Sequence, residues 1–171
     1  ILFTGAMDYF PNEDAVLYFY AEIWPHIRKE MPDVTLYVVG RNPSKKIRRL
    51  SRTDPNIMIT GFVPDIKYYL KLADVFVAPF RIARGVPNKI LEAMAAGVPV
   101  VARPEAVQGL SGYNGCLKVE EDNEKFALSI IEVINNYNEW QKMSDRSRNF
   151  VIEYHNWEKN FVQLEKIFTS R

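Results

Sequence analysis

The chain has 171 residues, a formal net charge of +1 and 47% hydrophobic residues. These values are typical of a soluble globular domain that can bury a core, and they argue against a dedicated nucleic-acid-binding protein, which is usually basic overall. No apolar run approaches the ~18 residues of a membrane span. The single cysteine, Cys116, cannot form an internal disulfide, which favours a reducing compartment such as the cytoplasm.

Short apolar segments alternate with helical patterns along most of the chain. We predict strands at 1–4, 35–39, 57–60, 75–79, 99–102 and 116–119. Apolar strands separated by helices favour parallel pairing with right-handed crossovers. The sequence therefore predicts an α/β fold, a Rossmann-like doubly wound parallel sheet of about six strands with helices on both faces.

The helices are indicated by apolar spacing and by capping residues. The longest pattern runs from about residue 13 to 30, with Asn12 as the expected N-cap and Pro25 expected to kink or shorten the helix. A shorter helix is predicted at 65–72. From its candidate cap Asn123 onward, the chain is expected to be a helical C-terminal tail that continues with helices at 139–154 and 157–168.

The helix predicted between the second and third strands is strongly basic. Six Lys or Arg residues and no acidic residue lie between Arg41 and Arg52. Exposed Lys and Arg are the norm, so a solvated face is the simpler interpretation. The alternative is an anionic partner such as a membrane surface, which would make this a peripheral membrane contact.

The stretch from Arg84 to Ala102, RGVPNKILEAMAAGVPVVA, carries the most chemical information. Its helix, predicted from Asn88 to Ala96, is apolar nearly all round, so we expect it to be packed on most faces. Glu92 interrupts that apolar surface, and a buried carboxylate requires a partner. The partner is either Lys89 on the same helix face or the hydroxyl groups of a ligand. A glycine loop before a helix N-terminus also favours anion binding.

Glycines mark the edge of the sheet where a ligand is expected. Gly5, Gly40 and Gly61 follow the first three predicted strands directly, and ligands of doubly wound sheets bind beyond the carboxyl ends of the strands. Each glycine alone is an ordinary turn residue, but three at one rim indicate a site. The patterns GxGxxG and GxxxxGK[ST] are absent from the sequence, as are an Asp-x-Asp pair and a cluster of His and Cys. We therefore expect no metal and no resident cofactor.

A family resemblance rests on several of these segments. RGVPNKILEAMAAGVPVVA resembles the signature of the nucleotide-sugar-binding domain of retaining GT-B glycosyltransferases, particularly family 4, whose members share a pattern like (E)-x7-E-A-M-A-x-G-x-P-V-V. LYVVG and IMITGFVPDIKYYLKLADVFVAPFR match in the expected order, so the likeness covers essentially the whole chain. With FTGAMDYFPN, the chain is most similar to bacterial sugar transferases that build surface polysaccharides.

The resemblance implies a single donor-nucleotide-binding domain over residues 1–171, the C-terminal half of a two-domain enzyme without its N-terminal acceptor domain. The full-length protein would be a hexosyltransferase-like enzyme, in the cytoplasm or at the inner face of the membrane. It would transfer a sugar from a nucleotide diphosphate sugar to a glycan or lipid-linked acceptor. The fragment alone is expected to be inactive.

The resemblance also implies roles for individual residues. Glu92 matches the glutamate that holds the ribose hydroxyls, and Phe62 and Val63 match the loop that frames the base. The segment 85–88 matches the part that meets the sugar and diphosphate, consistent with metal-free catalysis. The expected nucleotide-sugar contacts are Gly5, Arg41, Phe62, Val63, Gly85, Val86, Pro87, Asn88 and Glu92.

Two positions depart from the family's pattern. The family's first glutamate, which touches the transferred sugar, falls on Arg84, and the Arg and Lys that usually follow the first strand are missing from GAMDYFPNEDA. Arg84 or Lys89 is expected to supply the missing positive charge, so the candidate catalytic residues are Arg84, Lys89 and Glu92. The departures leave two alternatives open: a non-catalytic nucleotide-binding module of this fold, and a GT-B-fold sugar-nucleotide epimerase.

Overall fold

Six short strands form one parallel sheet through the centre of the molecule. They are β1 (Leu2–Thr4), β2 (Leu36–Val39), β3 (Ile57–Gly61), β4 (Phe76–Ala78), β5 (Val100–Ala102) and β6 (Lys118–Val119). Their order across the sheet is β3-β2-β1-β4-β5-β6, and every pair is parallel. Every residue of β1, β4 and β5 is buried, as expected for strands covered on both faces. The predicted Rossmann-like sheet is confirmed.

Seven α-helices are seen in the computed structural model, which describes residues 1–83, 85 and 88–155 without the side chain of Tyr137. They are α1 (Phe10–Tyr18), α2 (Trp24–Glu30), α3 (Lys45–Thr53), α4 (Lys67–Leu72), α5 (Asn88–Ala95), α6 (Asn123–Asn135) and α7 (Tyr137–Tyr154). In packing, α1 contacts α3, α2 contacts α6 and α5 contacts α7. Right-handed crossovers place α1 to α3 on one face of the sheet and α4 and α5 on the other.

The C-terminal region is helical, as predicted, through α6 and α7. The helix predicted at 157–168 lies outside the described residues. Among the helices that are described, none is both long enough and apolar enough to cross a membrane.

The helical stretch from residue 10 to residue 30 differs from the prediction at its start and in its middle. α1 begins after Tyr9 and carries Pro11 in its first turn, so Asn12 lies inside the helix and is not its N-cap. A π-helical turn, Phe19–Ile23, joins α1 to α2. Pro25 follows in the first turn of α2. Because proline lacks an N–H and its ring crowds the preceding turn, this widened turn accommodates Pro25 within a continuous helical stretch.

The start of α6 also corrects a predicted cap. Asp122 is the N-cap, and its side chain accepts a hydrogen bond from the Lys125 backbone N–H at 2.9 Å. Asn123 is the first helical residue, and its side-chain oxygen accepts from the Tyr18 hydroxyl instead. Asn and Asp are both good N-caps. The side chain of Asn123 is bonded to Tyr18, so Asp122 caps the helix.

Candidate functional site

Three glycine turns at the carboxyl edge of the sheet are tied to one another. The Gly5 N–H donates to the Val39 carbonyl at 3.0 Å, and the Gly40 N–H donates to the Gly61 carbonyl at 3.1 Å. A Cβ on Gly40 would lie 1.7 Å from the Gly5 carbonyl oxygen. Glycine is therefore required at position 40 for the turns after β1 and β2 to pack together, and the packed turns form the floor of a cleft.

The cleft above this floor has a volume of about 370 Å³. It brings together most of the residues that were predicted from the sequence to bind a ligand, namely Gly5, Arg41, Phe62, Val63, Asn88, Lys89 and Glu92. Gly85 lines a neighbouring depression. Arg84, Val86 and Pro87 lie outside the described residues. The part of the chain that is described holds no group of three or more His, Cys, Asp or Glu side chains able to bind a metal ion.

Glu92 is exposed on the cleft-facing side of α5. The prediction that this helix is packed on most faces is wrong, because Asn88, Ala95 and Ala96 are exposed as well and the buried contacts come from Ile90, Ala93 and Met94. Alanine favours a helix whether or not it is buried, which explains why composition overstated the packing. No ion pair joins Glu92 to Lys89 within the described ranges. The Glu92 carboxylate is therefore accessible to a ligand.

Lys89 lies half-buried at the floor of the cleft. Its ammonium donates to Asn12 Oδ1 at 2.5 Å and lies 4.6 Å from the ring centroid of Phe80 and 5.6 Å from that of Phe3. Burial lowers the pKa of Lys89 from 10.5 to about 8, and the negative charge of Glu92 acts in the opposite direction. Lys89 is thus mostly charged near neutral pH. Its polar and cation–aromatic contacts among the described residues are with a neutral amide and two aromatic rings.

A family model described as "Glycosyl transferases group 1" matches residues 1–136, a range that contains all six strands and the cleft. The chain belongs to this family. The resemblance seen in the EAMAAGVPVV segment is therefore confirmed at the level of the family.

An uncharacterized glycosyltransferase of Methanocaldococcus jannaschii is 26% identical to this chain over 178 residues, which cover 98% of the chain and 44% of the relative. The chain therefore spans less than half the length of this relative. The crystal structure of TarM superimposes with a TM-score of 0.81 at 19% identity and covers 98% of this chain and 34% of that one.

The crystal structure of Anabaena HepE in complex with UDP has a TM-score of 0.78 at 14% identity, covering 99% of this chain and 49% of that one. At these identities, the two superpositions show that the fold is shared.

A second depression adjoins the cleft. It has a volume of about 260 Å³ and shares Asn88 and Lys89 with the cleft. The remaining lining is mainly apolar and comprises Tyr9, Pro11, Asn12, Phe80, Ile82, Ala83, Gly85 and Ala106. A ligand with two groups joined by a negatively charged centre would place that centre at Lys89 and one group in each depression.

A polar network lies beyond the end of β5, and the sequence analysis did not predict it. Arg103 donates to the Tyr18 hydroxyl at 3.0 Å and to the Glu121 carbonyl at 2.7 Å. Arg81 stacks on the same tyrosine, with its guanidinium carbon 4.5 Å from the Tyr18 ring centroid, and forms an ion pair with Asp14. Both arginines are therefore engaged in structural contacts. Of the described residues that line the cleft, Arg41 and Lys89 are the cations.

Asn12 is the site residue whose role the sequence reasoning missed. It was assigned as a helix cap, but its buried side chain joins the turn after β1 to Lys89 on α5. Pro11 was the available signal, because proline is favoured in the first turn and places Asn12 inside the helix.

Proposed function

We propose that this chain is the donor-nucleotide-binding domain, the C-terminal half, of a retaining glycosyltransferase. The full-length enzyme would move a sugar from a nucleotide diphosphate sugar to a glycan or lipid-linked acceptor at the cytoplasmic side of the membrane. The observation that carries the proposal is that Glu92, Lys89 and the two residues after β3, Phe62 and Val63, line one cleft. The UDP bound to the structurally similar HepE supports a nucleotide ligand.

The two ends of the cleft suit the two ends of a nucleoside diphosphate. Phe62 is 76% exposed at the rim, and an aromatic ring in that position gains contact area when a base covers it. Glu92 offers an exposed carboxylate to the ribose hydroxyls. Lys89 and the N-terminus of α5 lie at the junction with the second depression, where the diphosphate would be held and the sugar would extend onward.

The proposed chemistry is stabilisation of the leaving group. Breaking the sugar–phosphate bond concentrates negative charge on the departing diphosphate, and cations or helix N-termini fixed beside that charge lower the barrier. Lys89 is held in place and partly desolvated, so its charge acts with little screening. The acceptor would come from the N-terminal domain, so the chain alone should bind the nucleotide without transferring sugar.

The direct test is calorimetric titration of the chain with UDP, GDP, ADP and CMP. We expect one nucleoside diphosphate to bind and Glu92→Ala to weaken it about 10-fold or more, because a hydrogen bond to a charged group is worth ~1.5–3 kcal/mol. Glu132→Ala removes an exposed carboxylate from α6 and serves as the matched control. If no nucleotide binds at millimolar concentration, a module of this fold that has lost the nucleotide site is the better account.

A second partner is proposed for the basic face of α3, formed by Lys45, Lys46, Arg48, Arg49 and Arg52. All five side chains are exposed, and none has an ion-pair partner in the part of the chain that the structure describes. Elsewhere in the sequence acidic residues outnumber basic ones, so positive charge is concentrated on this helix. Such a face suits an anionic membrane surface, with ~1 kcal/mol for each basic residue near the lipid.

Vesicle sedimentation tests this contact. Because Ile47 and Leu50 are buried in the core, the attraction is electrostatic, and high salt should abolish it. We expect the chain to sediment with phosphatidylglycerol-rich vesicles but not with neutral ones, and Lys45→Glu combined with Arg49→Glu to prevent sedimentation. Lys29→Glu, an exposed substitution on α2, should leave it intact. Equal binding by the α3 variant would exclude this face.

A further inference from the structure

Asn12 connects the turn after β1 with the cation on α5. Its side chain is 4% exposed, its Nδ2 donates to the Ala6 carbonyl at 2.8 Å, and its Oδ1 accepts from Lys89 Nζ at 2.5 Å. A carbonyl oxygen can only accept, so the amide nitrogen must face Ala6 and the amide oxygen must face Lys89. The orientation of the amide is thereby determined by the backbone.

Gly5 provides the space in which these two side chains meet. A Cβ at this position would lie 2.7 Å from Asn12 Nδ2 and 3.1 Å from Lys89 Nζ. The first distance is shorter than real Cβ contacts allow, so a larger residue would displace the amide. The turn after β1, residues 5–9, contains no Lys or Arg. Because position 5 has no side chain, the turn leaves room for the ammonium group of Lys89 from α5.

Among the described residues, no ion pair compensates the charge of Lys89. Phe3 of β1 and Phe80 after β4 face the ammonium with their rings, and α1 presents the neutral amide of Asn12. Glu92 on α5 is the carboxylate whose charge acts on Lys89, and no ion pair joins the two in the described residues. An aspartate at position 12 would hold the ammonium equally well but would neutralise it.

We propose that Asn12 is a positioning residue that holds the Lys89 ammonium at the junction of the two depressions without neutralising it. The charge of Lys89 then remains available to the diphosphate of the donor. This inference rests on the proposed function, since it names the residue that positions Lys89 to bind the diphosphate. It also explains why the first-strand turn GAMDYFPNEDA contains an amide where a direct cation was expected.

Asn12→Asp tests the inference, because it changes the charge at position 12 and almost nothing in side-chain size. NMR titration of the lysine ε-methylene groups without ligand, with Lys89 assigned by loss of its signal in Lys89→Met, should show the pKa of Lys89 rising from about 8 by about one unit or more. Affinity for UDP, or whichever nucleoside diphosphate the wild type binds, should fall about 10-fold or more. Asn138→Asp adds the same charge at an exposed position on α7 and should change neither quantity.

The possible outcomes separate two failures. A raised pKa with unchanged affinity would show that the ligand does not use the Lys89 charge, and would overturn the positioning role. An unchanged pKa would overturn the Asn12–Lys89 contact itself, whether or not any nucleotide binds. If Asn12→Asp does not fold, Asn12→Ala keeps the test open: it should weaken binding, and wild-type affinity in that variant would overturn the inference. Absence of nucleotide binding in the wild type defeats the proposed function alone.

Discussion

Gly40→Ala should be among the most damaging single substitutions in this chain, because the added methyl group meets backbone. A Cβ at position 40 would lie 1.7 Å from the Gly5 carbonyl oxygen and 2.7 Å from the Gly5 carbonyl carbon. Real Cβ atoms essentially never approach other atoms within 3.0 Å, so the turn after β1 has to move by roughly 1 Å or more. Unlike a side chain, that turn cannot rotate away.

The cost can be assembled from the contacts that this shift disturbs. The Gly5–Val39 and Gly40–Gly61 backbone hydrogen bonds hold the three turns together, and each contributes about 1 kcal/mol. Gly40 also has φ of +151°, which costs a residue with a side chain about 1–3 kcal/mol. The free energy of unfolding should therefore fall by about 3–5 kcal/mol, a large share of the ~5–15 kcal/mol typical of a domain.

Urea unfolding of Gly40→Ala beside Gly97→Ala isolates the clash. Gly97 follows the end of α5 with φ of +75°, but a Cβ there meets none of the described residues within 4 Å, so only the backbone cost of about 1–2 kcal/mol applies. We expect Gly40→Ala to lose clearly more stability than Gly97→Ala and to lose nucleotide binding as well. Equal losses in the two variants would show that a side chain at position 40 does not clash with the turn after β1.

Three further predictions concern single side chains. Because the pKa of Lys89 is lowered to about 8 in the folded chain, the unfolded chain binds more protons between about pH 8 and 10.5. The free energy of unfolding of the wild type, measured by urea titration, should therefore rise with pH across that window relative to that of Lys89→Met. If the two proteins show the same dependence of stability on pH, the lowered pKa of Lys89 is contradicted. Asp122→Ala should cost about 1 kcal/mol in the same assay through loss of the α6 cap, and an unchanged midpoint would show that the cap is not needed. Arg103→Met should cost about 2–3 kcal/mol while leaving nucleotide affinity intact in calorimetry, because Arg103 bonds Tyr18 and Glu121 and does not line the cleft; weakened affinity would contradict that separation.

The sheet and the position of the cleft could be predicted because they follow from local patterns. Apolar runs bounded by glycine specify buried parallel strands, and the carboxyl ends of such strands meet at one edge. This sufficed to bring Gly5, Phe62 and Glu92 to the same cleft. Strand ends shifted by a residue or two, as when the strand predicted at 116–119 formed only at Lys118–Val119.

Side-chain partners far apart in the chain could not be predicted in the same way. Asn12 and Lys89 are separated by 77 positions, and nothing local to either residue indicates the contact. The same holds for Tyr18, Arg103 and Asn123, which meet across α1, the end of β5 and α6. Glu92 was expected to be buried because α5 is apolar in composition, but which side of a helix is covered depends on the elements that pack against it.

The cleft between the glycine turns and α5 is proposed to bind a nucleoside diphosphate. A crystal structure of the chain soaked with the diphosphate that binds in calorimetry tests it most directly. We expect the base against Phe62 and Val63, the ribose hydroxyls on Glu92, and a phosphate oxygen within hydrogen-bonding distance, about 2.7–3.2 Å, of Lys89 Nζ. Density for the nucleotide elsewhere, or a diphosphate turned away from Lys89, would contradict it.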